Sequence, residues 1–229
     1  KSVPRAEWSK WTSHQETNAL KEQVKYIEVF FEHEILKEIN IIDTPGLDAL
    51  SQIDSKNTIA FLKEVHPDAV VMLFTKSIAE TTLSVLQDFQ SVGVGDYNLS
   101  ALNAIGVLSK IDTIWSTMDA DKDVISIGNR VIKNTLYDKY PEVRRSLFSI
   151  LPVSSLMGLA ASTIEDNDYN SLKRLSVVKE GILLEMLSSP DYFFDEDYKM
   201  EVHPTERRRL YEKFGLYGIY LLVKALQRN

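Results

Sequence analysis

AIGVLSKID, residues 104–112, is the stretch on which the fold turns. Its first five residues, Ala104 to Leu108, are apolar without alternation. That is the pattern of a strand covered on both faces, the kind found in parallel sheets. Then the character switches to Ser109, Lys110, Ile111 and Asp112. A second run of the same kind lies upstream, AVVMLF from Ala69 to Phe74, and a third downstream, LFSILPV from Leu147 to Val153.

Helical patterns separate the strands. Thr81–Val92 carries Leu83, Leu86 and Phe89 on one side, and Asp123–Tyr137 carries Val124, Ile127, Val131, Ile132 and Leu136 near helical spacing. Ser55–Val65 can form a helix that His66-Pro67 ends, and Ser155–Ser162 starts another. Alternating strand and helix predicts an α/β fold, a doubly wound, mostly parallel sheet with helices on both faces. Two further strands are predicted at VKYIEVFF, Val24–Phe31, and EINIID, Glu38–Asp43. The link between them is too short for a crossover helix, so they should pair antiparallel and make the sheet mixed.

Beyond Ser162 the pattern becomes helical, over Tyr169–Leu187 and Thr205–Gln227, with the acidic, aromatic DYFFDEDY, Asp191–Tyr198, between them. No strand is expected after Val153. Thr205 can cap the last helix, on which Leu210, Phe214, Tyr217 and Leu221 form one stripe. Gly215 and Gly218, unfavourable inside a helix, predict close backbone packing or a hinge. Arg207, Arg208 and Arg209 crowd the first turn, where the helix dipole disfavours cations. They are expected to answer to an acidic partner, and Asp191–Tyr198 is the nearest in sequence.

Composition narrows the function. The chain has 229 residues, 44% hydrophobic and 26% charged, with net charge −7. That acidity argues against sequence-independent nucleic-acid binding, which must neutralise phosphates. There is no cysteine, hence no disulfide or thiolate metal site. His14, His33, His66 and His203 lack metal-ligand spacing. No apolar run approaches the roughly 20 residues that span a bilayer. A cytoplasmic protein is the expectation.

In doubly wound sheets, ligands bind at the carboxyl ends of the strands. Three strand ends here carry chemistry. At Ile42-Asp43-Thr44-Pro45-Gly46, Asp43 can hold a magnesium ion through water, and Gly46 lets a backbone N–H approach a terminal phosphate. At Ser109-Lys110-Ile111-Asp112, the Asp112 carboxylate can accept two hydrogen bonds from the N–H and NH2 edge of guanine, a donor pair that adenine lacks. The Lys110 stem can cover the face of the base while its ammonium stays wet. At Val153-Ser154-Ser155, a serine can present a hydroxyl or N–H to the guanine oxygen.

In this order, each at a different strand end, the three motifs resemble the third, fourth and fifth motifs of the GTPase superfamily. Ser109 stands where that family usually has Asn or Thr, and Ser155 where Ala is commoner. VKYIEVFFEHEILKEINIIDTPGLDAL, PVSSLMGLAAS (Pro152–Ser162) and ERRRLYEKFGLYGI (Glu206–Ile219) are similar to bacterial dynamin-like GTPases.

The resemblance implies a P-loop GTPase fold with GTP or GDP and Mg2+ bound. The nucleotide would be held by Asp43, Thr44, Gly46, Ser109, Lys110, Asp112, Ser154 and Ser155. It also implies GTP hydrolysis coupled to self-association and membrane remodelling, at the inner face of the cell membrane. No G-x-x-x-x-G-K-[ST] loop occurs in the chain, so the phosphate cradle and the catalytic residues are expected upstream of Lys1. Residues 1–165 then form a partial GTPase domain. Residues 166–229 form its helical remainder and the start of a helical neck. The competing readings are a small regulatory GTPase and a degenerate, non-enzymatic nucleotide-binding module.

Overall fold

The structure is a computed structural model that describes residues 28–44, 64, 67–75, 101–198 and 200–228. The chain divides into two compact units, Lys1–Thr44 and Pro45–Asn229.

In the first unit, Glu34–Lys37 forms a short 3-10 helix, entered through His33, whose Nδ1 accepts from the Ile35 amide at 3.3 Å. The described parts of both predicted antiparallel strands, 28–31 and 38–43, are irregular backbone. This corrects the mixed sheet. β-propensity stabilises a strand only through pairing and cross-strand packing. Here Phe30 is 92% and Ile41 67% exposed, so these two side chains gain little from packing.

The second unit is α/β. Strands β1 (Val70–Phe74), β2 (Ala104–Leu108) and β3 (Ser149–Pro152) form a three-stranded parallel sheet in the order β1-β2-β3. The expected apolar runs supply all three, and no strand follows Pro152 among the described residues. Burial alternates, however. Met72, Phe74, Ala104, Leu108 and Ile150 are buried, whereas Val71 and Leu73 are 64% and 68% exposed. Continuous apolarity predicts two covered faces for β1, and the described residues cover one.

That face carries α1 (Val124–Val131), which runs into a π-helical turn over Ile132–Tyr137, and then α2 (Pro141–Ser146). The Asp123 carboxylate caps α1 by accepting from the Ser126 amide at 3.1 Å. Pro141 opens α2 at a position where a missing N–H costs nothing. Gly106 lies under this layer. A Cβ there would meet Ile150 Cγ1 at 2.8 Å and Phe74 Cε2 at 2.9 Å, inside any normal contact. Only a residue without a side chain lets Phe74, Leu147 and Ile150 close over the middle of the sheet.

Beyond Pro152 the described residues are helical: α3 (Ser155–Thr163), α4 (Asp166–Leu175), α5 (Glu180–Met186), α6 (Pro190–Phe194) and α7 (Pro204–Arg228). The single helix predicted over Tyr169–Leu187 is two. A turn at Ser176 separates them, its amide donating to the carbonyls of Leu172 and Lys173, and β-branched Val177 and Val178 follow it. Leu172, Leu175, Leu183, Met186, Leu187 and Phe193 enclose the buried stripe of α7, in which Leu210, Ile219 and Val223 have no exposed surface. Each such side chain contributes about 1.5–3 kcal/mol by leaving water. Of the stripe predicted on α7, Leu210, Phe214 and Tyr217 are buried, whereas Leu221 is exposed. The last helix is core to this unit.

Polar contacts fix how α7 sits. Asp168 is 1% exposed and takes an ion pair from Lys213 at 2.5 Å and another from Arg209 at 3.2 Å. It also accepts from the Glu165 amide at 3.1 Å, closing a capping box at the start of α4. Burial alone would raise its pKa. The Lys213 hydrogen bond, the Glu165 amide and the Lys213 and Arg209 charges outweigh that and hold it below the usual carboxylate value. Glu206 is depressed in the same way: burial opposes, while Arg174, the His203 amide and the Ser171 hydroxyl prevail.

The arginine trio does meet the Asp191–Tyr198 stretch, though not through its carboxylates. Arg207, 1% exposed, donates to the carbonyls of Phe193 (2.8 Å) and Asp195 (2.9 Å). Arg208 lies over the Phe194 ring at 4.4 Å. Arg209 goes elsewhere, to Asp168.

Candidate functional site at the strand ends

The carboxyl ends of the three strands are tied together by the residues that follow them. Ser109 comes directly after β2. Its amide (2.8 Å) and its hydroxyl (2.9 Å) both donate to the carbonyl of Phe74, the last residue of β1. On the other side, the Val153 amide donates to the Leu108 carbonyl at 2.9 Å, and the Ile111 amide returns to the Val153 carbonyl at 3.4 Å. The backbone leaving β2 is thus held on both flanks before it turns.

The turn itself is unusual. Lys110 has φ 56 and ψ 37, and it is the one non-glycine residue with positive φ among the described residues. A left-handed conformation costs an L-residue roughly 1–2 kcal/mol, and such strain collects at functional sites. It persists here because the Lys110 carbonyl is engaged twice, by the Thr113 amide at 3.0 Å and the Thr113 hydroxyl at 2.8 Å. It is also pinned by Ile111, 3% exposed, which anchors the next residue in the core. The result is an exposed Lys110 side chain followed by a half-buried Asp112 in a 3-10 turn over Ile111–Ile114.

Asp112 meets the third motif. The Ser154 hydroxyl donates a short hydrogen bond to Asp112 Oδ1 and accepts from the Met157 amide at 3.3 Å, capping α3. Capping and carboxylate binding are therefore both performed by one side chain. Ser155 opens α3 and is exposed.

Two elements outside the motifs complete the surroundings. Trp115 packs against Tyr220 (ring centroids 4.9 Å apart) and Tyr217 (5.6 Å) of α7. Burial raises the Tyr217 hydroxyl pKa, while the Val124 amide hydrogen-bonds to it. Then α7 breaks at Gly215, φ 63 and ψ 172, beside Leu156 and Asp112. Neither feature follows from the strand-end motifs. The signals available were a tryptophan three residues past Asp112 and a glycine inside a helix.

Of the predicted site residues, Ser109, Lys110, Asp112, Ser154 and Ser155 come together at the carboxyl end of the sheet. Asp43 and Thr44 belong to the first unit, on irregular backbone, and Gly46 lies outside the described residues. Among the described residues, no group of three or more acidic or histidine side chains could hold a metal ion. A single carboxylate such as Asp43 is not by itself a magnesium site. No helix among the described residues is long and apolar enough to cross a membrane.

No protein-family model matches the chain, and no solved structure does. It is similar to isoniazid-induced protein IniC of Mycobacterium tuberculosis, from strains CDC 1551 / Oshkosh and ATCC 25618 / H37Rv. Each is 28% identical over 204 residues, covering 87% of this chain and 40% of the relative. The chain therefore spans well under half the length of the curated relatives it matches.

Proposed function

We propose that the Lys110–Asp112–Ser154 cluster reads a guanine base, in a protein whose wider work is GTP hydrolysis of the dynamin-like kind. The observation that carries this reading is the bond from Ser154 to Asp112. It joins residues from two separate strand ends, orients the carboxylate and leaves Oδ2 for a ligand. A carboxylate presenting two oxygens matches the adjacent N–H and NH2 donors of guanine. Lys110, exposed two residues before Asp112, would supply an aliphatic stem for the base face and a cation that stays in water. The position is where parallel sheets take their ligands.

The wider reading keeps what the resemblance implies. A doubly wound sheet would be completed by elements beyond the described strands. By the resemblance, Asp43 would hold magnesium through water, and Thr44 and Gly46 would belong to the nucleotide-binding residues. Hydrolysis would depend on positioning and charge at the phosphates. Self-association, contact with the inner face of the membrane and membrane remodelling belong to the same proposal.

The test is an NMR titration of this chain with GMP and AMP at millimolar concentration. Shifts at Lys110, Asp112, Trp115 and Ser154 that saturate with GMP and not with AMP support the base site. Asp112→Asn should move the preference toward XMP, because an amide can pair with the extra carbonyl of xanthine. Equal response to GMP and AMP at these residues refutes it.

A further inference from the structure

Asp112 has its two oxygens in different circumstances. Oδ1 accepts from Ser154, whose hydroxyl is held in turn by the Met157 amide. This pairing fixes the carboxylate plane and leaves Oδ2 turned toward α7, at the point where that helix breaks. A Cβ built on Gly215 would lie 3.8 Å from Asp112 Oδ2 and 3.4 Å from Leu156 Cδ2. The break is not incidental. With φ 63 and ψ 172, Gly215 occupies a region of backbone space that is essentially closed to other residues. Both sides of the break are anchored. Phe214 is 2% exposed on one side, and on the other Tyr217 and Tyr220 pack on Trp115.

We infer that Gly215 is a specificity-determining residue of the base site, keeping Asp112 Oδ2 open to the exocyclic amine of guanine. This rests on the base-reading role proposed above. A hydrogen-bonded nitrogen sits about 2.9 Å from its oxygen. A methyl group 3.8 Å from the same oxygen is in van der Waals contact with it, takes space from a nitrogen approaching on the α7 side and sheds the water that solvates Oδ2. Ring N1–H can still be accepted by the remaining lone pair of Oδ1, so the amine is the donor at stake. Guanine carries this amine and hypoxanthine does not. The quantity that reports on Gly215 is therefore the ratio of GMP to IMP affinity, from which the shared sugar and phosphate cancel.

The chain lacks cysteine, which permits a stereochemical test. A peptide covering residues 215–229 with L- or D-cysteine at its first position can be ligated to residues 1–214 and then desulfurised to alanine. The two products carry L-Ala or D-Ala at position 215. L-Ala adds its methyl on the Asp112 side. D-Ala tolerates positive φ and points its methyl the other way. Wild type should prefer GMP over IMP by roughly tenfold, the worth of one hydrogen bond to a charged group. The L-Ala protein should lose most of that ratio and the D-Ala protein should retain it. Leu156→Phe, which fills the same gap from α3 without straining the backbone, should also lower the ratio, and it serves if the L-Ala protein does not fold.

A wild-type preference that persists in the L-Ala or Leu156→Phe protein overturns this inference alone. So does a preference lost equally in L-Ala and D-Ala, which would mark a purely structural role. A wild type indifferent between GMP and IMP, and between GMP and AMP, sinks the base-reading role and this inference with it.

Discussion

Replacing Asp168 by asparagine tests how much of this unit is held by one buried carboxylate. The side chain keeps its shape, and its oxygen can still accept from the Glu165 amide, so the cap on α4 survives. What it loses is charge, facing Lys213 at 2.5 Å and Arg209 at 3.2 Å. The Lys213 contact dominates, because Lys213 is 21% exposed whereas Arg209 is 46% exposed and screened by water. A charge-assisted hydrogen bond contributes about 1.5–3 kcal/mol. Allowing a fraction more for Arg209, Asp168→Asn should cost about 2–3 kcal/mol. For a domain of this size that lowers Tm by about 5–10 °C in a calorimetric or circular-dichroism melt at neutral pH.

The pH dependence gives a second reading. The folded-state pKa of Asp168 lies below its ordinary value, so its contribution is present above the unfolded pKa and vanishes as pH falls through the folded one. The gap between wild type and mutant should close below about pH 4. Exposed Lys122, paired to Asp119 on the surface, serves as the control, and Lys122→Ala should barely move Tm. A Tm for Asp168→Asn within a degree or two of wild type, or a gap independent of pH, would refute the argument.

Gly215→Ala should destabilise by about 1–3 kcal/mol through backbone strain. Gly158→Ala, in α3 with open space around it, should be neutral or stabilising by up to about 1 kcal/mol, and paired urea melts check both. Deleting residues 204–229 should abolish the cooperative transition, because Leu210, Ile219 and Val223 fill the helical core, and a deletion protein that melts like wild type would be inconsistent with that packing. A fluorescent GTP analogue should show no saturation with this chain at micromolar protein, since base contacts alone are a small part of nucleotide affinity. Micromolar binding competed by GDP but not ATP would contradict this.

Sequence reading succeeded where local chemistry decides the outcome. β1, β2 and β3 were visible because unbroken aliphatic runs have few other fates, and the meeting of Asp112 with Ser154 follows because each comes shortly after a neighbouring strand of one parallel sheet. It failed where a neighbour decides. Val71 and Leu73 look like their buried companions Met72 and Phe74, and nothing in AVVMLF tells which face will be covered. Residues 28–31 and 38–43 have strand composition, but strands exist only in pairs. The positive φ of Lys110 answers to the hydrogen bonds of Thr113 and the burial of Ile111. The break at Gly215 was suggested by a costly glycine. Its place beside Asp112 depends on how α7 returns across α3, which no local pattern encodes.

Gly106 makes the unit's tolerance of sequence drift uneven. Along β1 and β3 one aliphatic residue can replace another at modest cost, because neighbours can repack. At Gly106 the spacing around the Cα is already the closest that Phe74, Leu147 and Ile150, on or beside the flanking strands, allow. A distant homologue that keeps the spacing has no alternative to glycine there. One that carries alanine has to show a smaller residue in the place of Ile150 or Phe74. The two changes should then travel together, each being harmful without the other.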